Sequence, residues 1–172
     1  MIFVTVGTNP KPFVRMIREM DLLASWIDEE VVIQPGSTPY VLLHATGCAW
    51  MDDATFQNHI LSARTIVSHA DAGTIIGALK QRKPLVLVPR SVKWQECVDN
   101  HQYELARALH LGQQAIMVED VQPPTLWNAI TYSGKLAGAP TATHMLREAL
   151  SNQLVEWETS QTITRTSPGW KG

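Results

Sequence analysis

Within seven positions, Ser68-His69-Ala70-Asp71-Ala72-Gly73-Thr74, the chain places two hydroxyls, an imidazole, a carboxylate and a run of small residues. An apolar run, Ile66-Val67, leads in, and Ile75-Ile76-Gly77-Ala78-Leu79 leads out. Small residues between a strand and a helix let a phosphate approach the backbone, where the free N–H groups of the first helical turn donate to it. Each such charge-assisted bond contributes ~1.5–3 kcal/mol. The same layout also suits a tight strand–helix junction whose small residues serve only packing, and spacing alone leaves both open. His69 is either a ligand contact or a hydrogen-bonded histidine beneath the loop. Asp71 puts a negative charge where an anion would sit, yet aspartate is also a strong N-cap that takes those same N–H groups.

Three further segments carry polar or small residues after apolar runs: Gly7-Thr8, Gln34-Pro35-Gly36-Ser37, and the stretch from Pro89 to Gln102. In Asp99-Asn100-His101-Gln102 the first two residues suit a helix cap. His101 and Gln102 could lie over a sugar. Cys48 and Cys97 form no CxxC or Cys/His ligand spacing, so neither a zinc site nor a disulfide framework is expected.

These loops need strands and helices to hold them. Ile2–Val6 reads as a buried strand ending at Gly7-Thr8, and Phe13, Met16, Ile17 and Met20 share a helical face, with Asn9 a candidate cap. Strands are expected over 30–37, broken at Pro35-Gly36, and over 40–45, 64–68, 85–89 and 115–118. Helices are expected over 54–63, 73–81, 99–110, 124–136 and 143–157. The alternation predicts an α/β domain with a doubly wound, mostly parallel sheet covered by helices on both faces, Rossmann-like in plan. Ligands bind such sheets outside the carboxyl ends of the strands. One α/β domain is expected over residues 1–158, and the polar 159–172 reads as a mobile tail. The helix at 143–157 spaces Leu146, Leu150, Leu154 and Trp157 to face either its own sheet or a partner.

The 172 residues carry a net charge of −2, with 45% hydrophobic and 17% charged residues. Nothing in that balance favours nucleic acid. The N-terminal MIFVTVGT lacks the basic flank of a signal peptide, and no apolar run approaches the ~20 residues of a membrane span, so a cytoplasmic domain is expected.

The stretches FVTVGT (3–8), VIQPG (32–36), VSHADAGTIIGALKQRKPLVLVPR (67–90) and VDNHQYELARAL (98–109) together resemble the C-terminal, nucleotide-sugar-binding domain of the family 28 glycosyltransferases. The similarity is closest to its short stand-alone members. These include the donor-binding subunit of the dolichol-linked N-acetylglucosaminyltransferase and bacterial subunits of capsule and exopolysaccharide synthesis. The resemblance implies one half of a GT-B enzyme that binds a UDP-sugar without an essential metal or cofactor and transfers the sugar with inversion. Carried over by position, Gly7 and Thr8 approach the diphosphate and Ser68, His69, Ala72, Gly73 and Thr74 cradle it. Val88, Pro89 and Arg90 flank the base through their backbone, and His101 and Gln102 face the donor sugar. The general base is expected on a partner chain, with His69 the candidate in this one. That partner would be membrane-associated, would bring the lipid-linked saccharide acceptor, and would hold this chain at the inner face of the membrane.

The sequence departs from the family at three places. Asp71 replaces a small residue, Gly77 stands where a ribose-gripping glutamate is common, and Cys97 replaces a histidine. A carboxylate ~4–8 Å from a diphosphate charge costs about 2–4 kcal/mol at an effective dielectric near 20. The resemblance therefore leaves two expectations, a working donor subunit or a non-catalytic subunit with a degenerate donor site that supports a partner transferase.

Overall fold

A computed structural model describes residues 1–136. The helix expected at 143–157, the domain limit at 158 and the tail lie outside the described residues.

Six strands form one parallel sheet: β1 (Ile2–Thr5), β2 (Val31–Gln34), β3 (Thr46–Gly47), β4 (Thr65–Ser68), β5 (Leu85–Leu87) and β6 (Ile116–Met117). Their order is β3-β2-β1-β4-β5-β6, so the chain reverses direction across the sheet between β1 and β4. The helices are α1 (Val14–Ala24), α2 (Asp53–Ser62), α3 (Ala72–Lys80), α4 (His101–Leu111) and α5 (Pro123–Leu136).

Successive strand side chains point to opposite faces. Ile2, Val4, Ile33, Val67 and Val86 pack under α1 and α5, alongside Met16, Ile17, Met20, Leu126 and Ile130. Phe3, Val32, Ile66, Leu85 and Leu87 face the other way, onto Ile60 of α2, Ile75 and Ala78 of α3, and Leu105 and Leu109 of α4. Both faces are thus covered, which is why the central strands read as unbroken apolar runs rather than alternating ones. The doubly wound α/β expectation holds.

The expected strand at 40–45 does not form. Val41 and Leu43 are largely exposed, and the ladder resumes only at Thr46-Gly47. The reason is Asp21, buried on α1, whose carboxylate accepts the N–H groups of Leu43 (3.0 Å), His44 (3.0 Å) and Ala45 (2.8 Å) and the Tyr40 hydroxyl (3.2 Å). Donors that would build a strand are spent on one side chain. Nor does Asn9 cap α1: its Oδ1 accepts from the Lys11 N–H at 2.9 Å, and the cap position is Phe13, which offers no side-chain hydrogen bond.

Burial alone would raise the Asp21 carboxyl, but the bonds from Ala45, Leu43, His44 and Tyr40 outweigh it and hold the group below its ordinary value. A lowered folded value means the stabilisation is present above the unfolded pKa of about 4 and is lost as pH falls through the folded one. Asp21→Asn is expected to cost about 1.5–3 kcal/mol near neutrality. In urea titrations the gap to wild type should close as pH drops below about 4; a gap independent of pH would show that charge on Asp21 is not what holds the segment.

Candidate functional site

The carboxyl ends of β1 and β4 lie side by side where the strand order reverses, and a cleft of ≈ 600 Å³ opens there. Gly7, Thr8 and Asn9 after β1, Gln34 at the end of β2, and His69, Asp71, Gly73 and Thr74 after β4 all line it. Gln102, in the first turn of α4, closes the far side.

Gly7 lines the cleft, and Gly36 packs against it. Gly7 has φ 65°, and a Cβ there would lie 2.5 Å from His69 Cε1; Gly36 has φ 55°, and a Cβ there would lie 2.7 Å from the Gly7 carbonyl oxygen. The loops after β1 and β2 and the His69 ring are therefore stacked at contact distance that only hydrogen at Cα permits. The Thr5 hydroxyl ties the layer together, donating to Gln34 Oε1 at 2.6 Å and accepting from the Gly7 N–H at 3.2 Å.

His69 is 3% exposed, and burial pushes its imidazole down to about 4, so it is neutral near pH 7. Its Nδ1 is buried without a hydrogen-bond partner. The Asp71 carboxylate caps α3, accepting from the N–H groups of Gly73 (3.1 Å) and Thr74 (3.4 Å). Among the described residues lining the cleft there is neither lysine nor arginine, while Asp53 of α2 adds a second carboxylate.

The structure thus brings together Gly7, Thr8, His69, Gly73, Thr74 and Gln102 of the residues singled out in the sequence. Others lie elsewhere. Ser68 is fully buried, its hydroxyl donating to the His69 carbonyl at 2.7 Å. Ala72 is half-buried in the first turn of α3, and Val88 and Pro89 are buried at the end of β5. The Arg90 side chain points into the protein, its guanidinium donating to the carbonyls of Lys11, Pro12, Glu96 and Val6. Only its N–H approaches the site, donating to Gln102 Oε1 at 3.2 Å and fixing the orientation of that amide. His101 pairs with Asp99, Nδ1 to Oδ1 at 2.8 Å, and the same Oδ1 takes the His101 N–H; Asn100 makes no side-chain cap. Gly77 faces α2, where a Cβ would lie 3.2 Å from Ile60 Cδ1. The Cys97 thiol, raised by burial, donates to the Asp99 carbonyl.

Sequence reading missed Met51, Asp53, Phe56 and Gln57, which form the wall contributed by α2 and the loop before it. Their only signal was the position of α2 on the face shared with α3.

Comparison with known proteins agrees with this fold. The glycosyltransferase family 28 C-terminal domain matches residues 1–135. The UDP-N-acetylglucosamine transferase subunit ALG13 of Mus musculus is 36% identical over 117 residues, which is 63% of this chain and 10% of that protein. Among solved structures, the calicheamicin glycosyltransferase CalG4 superimposes with a TM-score of 0.59 at 16% identity, covering 97% of this chain and 44% of the other. The glycotransferase of kitacinnamycin gives 0.61 at 17% identity, covering 97% and 43%. The chain therefore spans a tenth of that curated relative and less than half of either enzyme structure. With its parallel Rossmann-like sheet and its cleft at the β1–β4 crossover, the chain belongs to the glycosyltransferase family 28 C-terminal domain family.

Proposed function

We propose that the cleft binds a UDP-sugar and that the chain is the donor-binding half of an inverting, two-chain hexosyltransferase. The observation that carries this is the convergence of Gly7, Thr8, His69, Gly73, Thr74 and Gln102 on one cleft at the carboxyl ends of β1 and β4. The name of the mouse relative, a UDP-N-acetylglucosamine transferase subunit, supports both a UDP-sugar and a partner chain. Among the described residues no helix is long and apolar enough to cross a membrane. The partner in this reading supplies membrane association, the lipid-linked saccharide acceptor and the general base, in a pathway of polysaccharide or glycolipid synthesis on the cytoplasmic side.

The chemistry asked of this chain is modest. As the sugar–phosphate bond breaks, charge grows on the departing UDP, and backbone N–H dipoles of the loop beside Gly7 stabilise it without a cation or a cofactor, those of Gly73 and Thr74 being taken by Asp71. Gln102 orients the sugar. His69, neutral and beneath Gly7, holds the floor of the site; a base for the acceptor hydroxyl is needed from outside.

A second reading is favoured by the Asp71 carboxylate seated on the α3 N–H groups: a non-catalytic subunit that stabilises a partner transferase. Calorimetric titration of UDP and UDP-sugars separates the two. Saturable binding to the chain, or to its complex with the partner, is expected from a donor subunit. Binding to neither, in a complex whose turnover still requires this chain, would replace the first reading with the second.

A further inference from the structure

Beyond whether the cleft binds a nucleotide sugar lies the question of which part of it the protein holds, and the answer rests on the donor-binding reading. We propose that Asp71 sets the specificity of the site: by occupying the Gly73 and Thr74 N–H groups it cancels most of the affinity a diphosphate would add. The wild-type chain then holds its ligand by the nucleoside and the sugar hydroxyls.

The donors at the start of a helix are few, and two of those of α3, at Gly73 and Thr74, are already engaged. Asp71 sits in extended backbone geometry, and its Oδ2 reaches both N–H groups. A phosphate oxygen entering there exchanges one anion for another on the same donors, so little is gained. The rest of the lining does not make up the difference. Asp53 is a second carboxylate, no lysine or arginine faces the cleft among the described residues, and His69 is buried and uncharged near pH 7.

The remaining polar groups suit a different ligand chemistry. Thr8, Asn9, Gln34 and Gln102 are neutral groups that exchange hydrogen bonds with hydroxyls as readily as with phosphate. A ligand hydroxyl on these groups brings no charge beside Asp53 and Asp71.

Calorimetric titration of uridine and of UDP into the full chain, as wild type, Asp71→Asn and Asp71→Gly, tests this. In the wild type UDP should bind within about threefold of uridine, whereas Asp71→Gly should tighten UDP by about tenfold or more and leave uridine unchanged. Asp71→Asn drops the charge but keeps a capping oxygen, so its UDP-to-uridine ratio should fall between the other two. If Asp71→Gly does not fold, the Asn ratio decides: a rise above wild type upholds the proposal and no rise overturns it. UDP binding the wild type tenfold tighter than uridine, or a ratio indifferent to residue 71, also overturns it while leaving the donor-binding reading intact. Failure of uridine, UDP and UDP-sugars to bind any of the variants, alone and in complex with the partner, removes that reading, and this inference with it.

Discussion

Arg90→Ala is expected to cost about 3–5 kcal/mol of folding stability, a large share of the about 5–15 kcal/mol that holds a domain of this size together. The guanidinium is 2% exposed and reaches four carbonyls: Lys11 at 2.8 Å, and Pro12, Glu96 and Val6 at 3.3 Å each. Its plane lies over the Phe13 ring, 4.7 Å from the centroid. The loop after β1 and the loop after β5 have no strand pairing between them, so this one side chain is their clasp. A second layer, Arg15 bonded to Glu96 at 2.9 Å and the Ser91 N–H bonded to Glu96 at 3.0 Å, holds the outer end of the same junction. Alanine strands the carbonyls and empties the volume. Arg90→Met refills the volume and keeps the contact with Phe13 but offers no donor, so its deficit in urea titration measures the hydrogen bonds alone. Arg90→Lys should recover less than half, because one ammonium cannot reach carbonyls placed around a flat fork. A loss under about 1 kcal/mol for Arg90→Ala would mean the clasp is not what fixes these loops.

Arg90 also shows where sequence reading stops. The resemblance put only the backbone of Val88-Pro89-Arg90 beside the ligand, and nothing local tells a side chain directed into the protein from one directed out. The carbonyls it serves belong to residues 78 to 84 positions away as well as to Glu96 nearby. The central strands, by contrast, were legible because burial on both faces writes itself as consecutive apolar residues: Ile2–Thr5, Val31–Gln34, Thr65–Ser68 and Leu85–Leu87. The loops after them were legible because close approach demands small residues at Gly7 and at Ala72-Gly73. The segment 40–45 misled for a physical reason. Its apolar residues do pack, Tyr40, Leu42 and Ala45 lying against the core, but its donors go to Asp21. The α2 wall of the cleft was invisible because Met51, Phe56 and Gln57 reach it only through the crossover that sets α2 beside α3. Asp71 was read as both a cap and an intruding charge; the structure shows the cap, with the carboxylate still in the lining of the cleft.

Gly7→Ala should be strongly damaging for a single methyl group, costing about 2–5 kcal/mol from two separable sources. The first is backbone: φ at Gly7 is 65°, and an L side chain in that region costs about 1–2 kcal/mol. The second is collision, since the new Cβ would lie 2.5 Å from His69 Cε1 and 3.0 Å from its Nε2, and overpacking of that kind costs about 1–3 kcal/mol. The ring has little room to retreat, being 3% exposed at the end of β4. A double-mutant cycle with His69→Ala separates the sources. Removing the imidazole opens space for the methyl group but leaves φ unchanged, so the pair should be less destabilised than the sum of the single changes by about 1–3 kcal/mol. Additive losses would mean that backbone conformation alone requires glycine here. A coupling in the expected range would establish that the loop after β1 rests directly on the His69 ring, and that the depth of the cleft is set by that contact. Any residue larger than glycine would then lift this loop off the ring and change the shape of the cleft that Gly7 lines.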